Sequence, residues 1–529
     1  MTLLLHELLL ERAAASPALP ALVHRDNALT YGALAAQVEA CARGLRTLGL
    51  GRHERVAVFL PKQFETVVAM FGAARAGCVF VPVNPVLKNA QVEHILRDCN
   101  VRVLVTSPER LATLTGALGN APDLRHVVLV AGSGEASAPA GVTVSGWTDL
   151  LSQTGAASAH RVIDADMAAI LYTSGSTGKP KGVVLSHRNM VTGAFSVSQY
   201  LENTSEDRLL CVLPFSFDYG LSQLSTAFRV GACAVLMEYL FARDILTVGA
   251  KQGITGLAGV PPLWSQLADL EWPDPLVRSL RYITNSGGAM PASTLRKLRD
   301  ALPHTQVFLM YGLTEAFRST YLSPSEIDKR PGSIGKAIPN AEIMVVRPDG
   351  TPCDPEEPGE LVHRGSLVAL GYWNDAQKTA ERFRPVPGQP DGLMLTEIAV
   401  WSGDMVRKDA DGYLYFVGRR DEMIKTSGYR VSPTEVEEVV FATGLVADAA
   451  AVGVTHPALG QAIVLVAAPA PGRSPSTEDL LGACRKELPA FMVPLHVDWR
   501  QELPRNANGK YDRALLAREL QNLFATNAA

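Results

Sequence analysis

The segment from Ile170 to Ser186 carries the residues whose types most clearly suggest chemistry. It reads Ile-Leu-Tyr-Thr-Ser-Gly-Ser-Thr-Gly-Lys-Pro-Lys-Gly-Val-Val-Leu-Ser, and its apolar ends predict two buried strands around a polar loop. Glycines in such a loop let backbone N–H groups turn toward an anion, because no Cβ obstructs the approach. The Ser and Thr hydroxyls add donors, and Lys179 and Lys181 add positive charge. This composition indicates a polyphosphate-binding loop.

The loop differs from a Walker-type P-loop, which requires G-x-x-x-x-G-K-[ST] leading into a helix. Here Thr173 occupies the place of the first glycine, and Pro180 follows the lysine. A Gly/Ser-rich hairpin that binds nothing is the remaining alternative. Two lysines and four hydroxyls beside the glycines favour the phosphate site over that alternative.

Length, composition and charge exclude several classes of protein. The 529 residues predict more than one domain, since single cores stop growing at roughly 250–300 residues. A net charge of -4 offers no basic field for nucleic acid. No apolar run approaches the roughly 18 residues of a membrane span, and His6 and Glu7 interrupt the N-terminal leucines where a signal peptide would be continuous. The seven cysteines form no C-x-x-C pair, so we expect reduced thiols in a cytoplasmic protein.

Strand and helix patterns alternate through the first part of the chain, which predicts a parallel sheet with covered faces. A strand over Leu209–Pro214, a turn through Tyr219–Gly220 and a helix from Leu221 are expected next. The segment Arg281–Ala289 is predicted to run from a strand into a Gly-Gly turn, and Val307–Glu315 to do the same with an acidic end. Open α/β sheets bind ligands beyond the carboxyl ends of their strands, so both ends are candidate sites.

From about Gly335 the pattern shortens into β-rich pieces, and near Arg420 the chain begins a new alternation of helices and strands. We therefore predict an α/β fold with a large N-terminal domain, residues 1–420, made of parallel α/β sheets plus a β-rich subdomain. Residues 421–529 are predicted to form a small, mobile α+β C-terminal domain, within the usual size range of domains.

Five motifs in this order identify a resemblance: Tyr-Thr-Ser-Gly-Ser-Thr-Gly-Lys-Pro-Lys-Gly (172–182), Tyr-Gly-Leu-Thr-Glu (311–315), Ser-Gly-Asp (402–404), Gly-Arg-Arg-Asp (418–421) and Asn-Gly-Lys (508–510). Over nearly its full length the chain resembles the AMP-forming superfamily of acyl-CoA synthetases, amino-acid adenylation domains and luciferases. It looks most like ligases associated with exosortase systems and free-standing prolyl–carrier-protein ligases. The resemblance implies that a carboxylate attacks the α-phosphorus of ATP to give an acyl-AMP and pyrophosphate, and that a thiol then displaces AMP.

The resemblance also implies roles for particular residues. The nucleotide would be held by Thr173, Ser174, Gly175, Ser176, Thr177, Gly178, Lys179 and Lys181 at the phosphates, Gly287, Gly288 and Ala289 at adenine, Tyr311 and Gly312 beside them, and Asp404 and Arg419 at the ribose. Thr314 would lie by the α-phosphate, and Glu315 would ligate Mg²⁺, a cation that prefers carboxylate and phosphate oxygens. Lys510 would reach the reacting carboxylate. Rotation at the hinge Asp421 would replace Lys510 with the Lys425–Gly428 face for thioester formation.

The acid pocket would contain Phe217, Asp218, Tyr219 and Gly312. Fatty-acyl and aryl ligases usually carry His or another aromatic and then a small residue here, whereas this chain has Phe217 and Asp218. A carboxylate facing an apolar acyl chain costs several kcal/mol unless it is paired. An amino acid supplies an ammonium group, so a small amino acid such as proline is the predicted substrate. The alternatives are that Asp218 pairs with a protein group such as Arg318, or bonds backbone, and that the substrate is a non-amino short- or medium-chain or aryl acid.

Two further alternatives concern the acceptor and the enzyme assignment. The thiol could belong to CoA or to the phosphopantetheine of a carrier protein, and no sequence feature separates them. No carrier domain follows Lys510, so a protein acceptor is expected to be a separate acyl or peptidyl carrier protein. A catalytically silent nucleotide-binding scaffold is disfavoured because Glu315 and Lys510 are both present.

Overall fold

The structure is a computed structural model that describes residues 2–131, 138–155, 159–173, 180–419, 423–470, 472–504 and 511–525. Its first elements are α1 (Glu7–Ala15), β1 (Pro20–His24), β2 (Asn27–Thr30), α2 (Tyr31–Thr47), β3 (Arg55–Phe59), α3 (Phe64–Arg75), β4 (Val79–Pro82), α4 (Asn89–Asp98), β5 (Val101–Thr106), α5 (Pro108–Leu118), β6 (His126–Leu129), β7 (Thr143–Gly146), α6 (Trp147–Leu151), β8 (Met167–Thr173) and β9 (Lys181–Ser186).

The middle of the chain continues the alternation of strands and helices. Its elements are α7 (His187–Tyr200), β10 (Arg208–Cys211), α8 (Asp218–Val230), β11 (Cys233–Leu236), α9 (Ala242–Gln252), β12 (Gly256–Gly259), α10 (Pro261–Ala268), α11 (Asp274–Ser279), β13 (Tyr282–Asn285), α12 (Ala292–Ala301), β14 (Gln306–Tyr311) and β15 (Thr320–Leu322), with 3-10 turns at Thr314–Ala316 and Pro324–Glu326.

The next segment is rich in strands, and a last α+β segment follows it. The strand-rich elements are β16 (Ser333–Ala337), β17 (Ala341–Val346), β18 (Gly359–Gly365), β19 (Gly371–Tyr372), α13 (Ala376–Arg382), β20 (Phe383–Pro385), β21 (Ile398–Lys408) and β22 (Leu414–Arg419). The last are β23 (Ile424–Thr426), β24 (Tyr429–Val431), α14 (Pro433–Ala442), β25 (Val446–His456), β26 (Gly460–Pro469), α15 (Thr477–Glu487), a 3-10 turn at Ala490–Met492, β27 (His496–Trp499) and α16 (Arg513–Glu519).

Two large sheets form the N-terminal domain. In the first, the strand order is β19-β9-β8-β4-β3-β5-β6-β7, and β4, β3, β5, β6 and β7 run parallel. The second sheet is parallel from β11 through β10, β12 and β13 to β14, and becomes antiparallel from β15 onward into the β-rich part. Helices α3 and α8 meet between the sheets, where the rings of Phe71 and Phe228 lie 5.1 Å apart. The predicted α/β class with a β-rich subdomain is confirmed.

The described residues from 423 onward form a smaller C-terminal domain with its own sheet, in the order β24-β23-β26-β25 with β27 beside β26. Helices α14 and α15 and one face of this sheet enclose one apolar cluster, and α16 covers a second on the other face. The predicted mobility of this domain and its boundary at residues 420/421 stay predictions, and residues 420–422 lie outside the described part.

One prediction of local structure is wrong. The chain does not turn through Tyr219–Gly220, because α8 begins at Asp218, three residues before the expected start. A carboxylate in the first turn interacts favourably with the N-terminal end of the helix dipole, so Asp218 suits that place. Gly220 serves close packing instead of a turn, since a Cβ there would lie 2.1 Å from the carbonyl oxygen of Pro214.

The two domains touch along α4 and the first turn of α14. Here Glu435 accepts a hydrogen bond from Gln91, and burial raises the pKa of Glu435 to about 8, with a further rise from Glu438. The surrounding cleft also holds charged or titratable side chains from α4 and α15, namely Glu93, His94, Arg97, Glu478, Asp479, Lys486 and Glu487.

All seven cysteines are buried free thiols. No described helix combines the length and the apolar character that crossing a bilayer would require.

Candidate active site

A cavity of about 350 Å³ lies between the N-terminal domain and the C-terminal domain. Its volume is within the range of small-molecule sites. Nine of the predicted site residues line it: Thr173, Phe217, Asp218, Tyr219, Gly287, Gly312, Thr314, Asp404 and Lys425. The fold therefore brings together residues that are separated by as many as 252 positions in the chain, from Thr173 to Lys425.

The two strands of the phosphate-loop hairpin end at this cavity. Strands β8 and β9 pair antiparallel, with Thr173 opposite Lys181. The Lys181 ammonium lies 5.4 Å from the centre of the Tyr372 ring, and burial lowers the pKa of Lys181. The loop residues Ser174, Gly175, Ser176, Thr177, Gly178 and Lys179 lie outside the described residues.

Glu315 lies beside the cavity in the 3-10 turn that follows β14. Its Oε1 accepts a hydrogen bond of 2.6 Å from the Tyr372 hydroxyl, while Oε2 is buried without a hydrogen-bond partner among the described residues. Burial raises the pKa of Glu315, but Arg430 and the Tyr372 hydroxyl outweigh it, so the pKa lies below its ordinary value. The side chain is thus a buried carboxylate with one oxygen available to a ligand.

Asp404 and Tyr311 form a second polar contact at the wall of the cavity. The Tyr311 hydroxyl donates a 2.5 Å hydrogen bond to Asp404 Oδ2. Asp404 faces Arg419 across the β21–β22 pair, although the side chain of Arg419 lies outside what is described. Buried on β21, the Asp404 carboxylate is held in one place by this hydrogen bond.

The Gly287–Ala289 segment follows β13 at the edge of the cavity. Gly287 has φ +82°, a left-handed conformation, and a Cβ there would lie 3.4 Å from Val260 Cγ1. The Asn285 side-chain amide donates to the carbonyl of Gly288 at 2.9 Å and closes the turn. Gly287 lines the cavity, whereas Gly288 and Ala289 are not among its lining residues.

The acid-pocket residues meet at the N-terminus of α8. The Thr314 hydroxyl donates to Asp218 Oδ1 at 3.3 Å, and Arg318 Nη1 lies 3.6 Å from Asp218 Oδ2. The guanidinium of Arg318 also stacks over the Tyr219 ring at 4.4 Å. Burial raises the pKa of Asp218, although Arg318 and Thr314 act in the opposite direction. The pairing of Asp218 with Arg318, which the sequence left open, is therefore present.

Residues of the C-terminal domain close the other side of the cavity. Lys425, Gly428, Tyr429 and Phe491 line it, and the rings of Tyr429 and Phe491 stack with centres 3.7 Å apart. The Phe217 ring lies 5.1 Å from the Tyr429 ring and so joins the acid pocket to this domain. Lys510 and Asp421 lie outside the described residues.

Sequence reasoning did not find Tyr372 or Arg430, which set the electrostatics of Glu315. Tyr372 reaches Glu315 because β19 pairs with β9, and Arg430 belongs to the other domain. Both residues lie far from Glu315 in the sequence, so no motif or regular spacing would have indicated that they act on it.

Comparison with known proteins matches most of the chain. Residues 9–373 match the family model described as AMP-binding enzyme, and residues 435–510 match the AMP-binding enzyme C-terminal domain. The chain is 32% identical over 527 residues to the L-proline–[L-prolyl-carrier protein] ligase of Pseudomonas fluorescens, with 98% of this chain and 99% of that protein covered. It spans only 6% of a linear gramicidin synthase of Brevibacillus parabrevis, to which it is 29% identical over 518 residues, or 97% of this chain.

Two solved structures are similar along most of the chain. The Bacillus subtilis o-succinylbenzoate CoA synthetase, a double mutant bound to a product analogue, has 26% identity and a TM-score of 0.81, covering 96% of this chain and 97% of that one. VinN in complex with L-aspartate has 30% identity and a TM-score of 0.65, covering 78% and 98%. These matches confirm the resemblance: the chain belongs to the AMP-binding enzyme family and is an ATP-dependent, AMP-forming acid–thiol ligase.

Proposed function

We propose that the enzyme activates a small amino acid as its aminoacyl-AMP and transfers it to a phosphopantetheine thiol of a carrier protein or of CoA. The observation that carries the proposal is Asp218, a largely buried carboxylate that lines the acid pocket. A carboxylate there is suited to the ammonium group of an amino acid and unsuited to an apolar acyl chain.

The pairing with Arg318 leaves the Asp218 carboxylate able to bind the substrate. At 3.6 Å the contact between Arg318 Nη1 and Asp218 Oδ2 is an ion pair that is too long for a hydrogen bond, and Arg318 Nη2 donates to Ser222 at 2.8 Å. Asp218 keeps 14% of its side chain exposed, which leaves room for a donor from the substrate. Two relatives also support an amino acid: one is named for L-proline, and the other was solved with L-aspartate.

A CoA ligase for a non-amino acid is the second candidate. It is favoured by the similarity to the o-succinylbenzoate CoA synthetase and by 31% identity to the indoleacetate–CoA ligase of Aromatoleum aromaticum. In that case the Asp218–Arg318 ion pair would be purely structural, and the acyl part of the substrate would lie against it without offering an ammonium group to Asp218.

The nucleotide is proposed to lie along the N-terminal wall of the cavity, with adenine at Gly287–Ala289 and the ribose hydroxyls at Asp404 and Arg419. The 173–181 loop would hold the β- and γ-phosphates, and Thr314 would lie near the α-phosphate, within the same lining as Asp218. The phosphorus under attack and the attacking carboxylate would then be neighbours, which is the positioning this chemistry requires.

Glu315 fits the proposed Mg²⁺, because its Oε2 is a buried acceptor without a hydrogen-bond partner in the described part of the chain. A hard cation prefers such an oxygen together with phosphate oxygens. When bound, Mg²⁺ would neutralise charge on the polyphosphate. The chain's contribution is to keep Glu315 ionised through Arg430 and oriented through Tyr372.

The second half-reaction is assigned to the face of the C-terminal domain that lines the cavity, from Lys425 to Gly428. We propose that rotation about Asp421 exchanges this face with Lys510, which would act in adenylation. The Phe217–Tyr429 contact would then form only in the arrangement described here.

A pyrophosphate-exchange screen over amino acids, fatty acids and aryl acids tests the function. We expect exchange with amino acids and its loss in Asp218→Asn, while ATP binding is kept. Equal amino-acid exchange in Asp218→Asn would contradict the role of Asp218. Exchange with fatty or aryl acids alone would establish the second candidate.

A further inference from the structure

We propose that Arg318 forms an anion subsite in the acid pocket, and that the amino acid activated by this enzyme carries a second carboxylate. The inference rests on the proposed function, which it makes more specific. Arg318 lines the cavity together with Asp218, yet its side chain is only 2% exposed.

The guanidinium of Arg318 keeps unused hydrogen-bonding capacity. Arginine has five N–H donors in a planar fork that matches a carboxylate. Among the described residues, Nη2 donates to Ser222, Nη1 only approaches Asp218, and the buried Nε has no hydrogen-bond partner. A buried donor without a partner costs free energy, which a ligand that accepts the bond can recover.

The pairing of charges favours a substrate with a second carboxylate. Asp218 is the counterion of Arg318, so an ammonium placed on Asp218 leaves two cations sharing one buried carboxylate. A carboxylate placed on Arg318 would give that guanidinium a counterion of its own. The pair is thus complementary to an ammonium and a carboxylate held a few bonds apart, in addition to the carboxylate that reacts.

A second, small cavity of about 30 Å³ lies behind Arg318. Most of its lining is apolar, but Ser222, Gln223 and Thr226 contribute polar groups. Gln223 Oε1 and Thr226 Oγ1 are buried there without a hydrogen-bond partner among the residues that the structure describes. The space is large enough for one ordered water, which could extend the polar surface toward the bound carboxylate.

The test compares acidic amino acids with their amides in pyrophosphate exchange. Within each pair, L-aspartate with L-asparagine and L-glutamate with L-glutamine, the side chains have nearly the same shape and differ in charge. Loss of one charge-assisted hydrogen bond corresponds to about 10- to 150-fold, so we expect kcat/KM for one acidic member to exceed that for its amide and for proline by this factor.

Variants at Arg318 complete the test. Arg318→Gln should abolish the preference for the acid over the amide, whereas Arg318→Lys, which keeps the charge, should retain part of it. Thermal melting and ATP binding check that each variant folds. A wild-type enzyme that prefers proline or the amides would overturn the anion subsite and leave the amino-acid function standing. Exchange with no amino acid at all would overturn both.

Discussion

Glu315 has one carboxylate oxygen fixed by Tyr372 and one buried oxygen without a hydrogen-bond partner in the described structure. Replacing it by Gln keeps the shape and removes the charge. We expect Glu315→Gln to lower Mg²⁺-dependent pyrophosphate exchange by about 10²-fold, in the range seen for lost electrostatic stabilisation, and to raise the Mg²⁺ concentration required. Tyr372→Phe is the matched control, which should lose less because the carboxylate remains. Identical Mg²⁺ titrations for Glu315→Gln and the wild type would refute a metal role.

Asp218 makes substrate binding depend on pH. Because burial raises its pKa, the carboxylate takes up a proton at a higher pH than an exposed aspartate does. A protonated Asp218 no longer attracts an ammonium group. The KM for the amino acid should therefore rise as the pH falls through this raised pKa. The KM for ATP should not show the same pH dependence, because Asp218 is not proposed to bind ATP. A measurement of both constants across pH checks this, and Asp218→Asn should flatten the amino-acid curve.

At the scale of secondary structure, the start of α8 positions the acid pocket. Gly220 allows the first turn of α8 to lie against Pro214, where a Cβ would come within 2.1 Å of the carbonyl oxygen. Gly220→Ala should destabilise the protein by about 1–3 kcal/mol, the usual cost of overpacking, and reduce amino-acid exchange.

Gly116→Ala in α5 is the matched control, because a Cβ there meets nothing within 4 Å. It should be neutral or stabilise by up to about 1 kcal/mol, since Ala favours helix. Denaturant unfolding measures both variants. Equal effects of the two substitutions would show that the α8 contact is unimportant.

Elements with strong local signals could be predicted from the sequence. The continuous apolar run Arg55–Leu60 marks β3 and the glycine at Gly77 marks the end of α3, each to within about two residues of the observed bounds. The strand β7 has no such signal, because it is only four residues long and none of its residues is fully buried. The start of α8 was misplaced because Gly220 reads locally as a turn residue, and only its contact with Pro214 shows otherwise.

The same contrast between local signals and long-range contacts applies to the candidate site. Asp218, Thr314 and Asp404 belong to short motifs, so the sequence indicated them before the cavity was known. Tyr372 and Arg430 come to Glu315 through a strand pairing and a domain contact. Such long-range neighbours have no spacing that a sequence pattern could reveal.

At the scale of the whole molecule, Glu435 links domain arrangement to protons. Its pKa is about 8 where α14 meets α4, against an ordinary value of 4.5. Because the pKa of Glu435 is raised in this arrangement, the arrangement is most stable when Glu435 is protonated. The contact between the domains should therefore weaken as the pH rises from the ordinary pKa of the side chain toward 8.

Small-angle scattering at about pH 6 and about pH 9 should show a shift away from the described arrangement at the higher pH, because Glu435 ionises. Glu435→Gln should remove this shift, as the amide stays neutral. A wild-type protein whose scattering is the same at both values would contradict the link.

The burial of every cysteine has a practical consequence for testing the proposed domain rotation. Reaction of a thiol with an external reagent requires exposure and a thiolate, so the native chain should react with far less than one equivalent of a chromogenic disulfide reagent until it is unfolded. The ratio of fast-reacting thiols before and after unfolding measures this. Single cysteines at exposed sites of each domain, such as Met394→Cys and Phe441→Cys, could then accept fluorophores without removal of any native thiol. Energy transfer between the two fluorophores during turnover would then test the proposed rotation of the C-terminal domain.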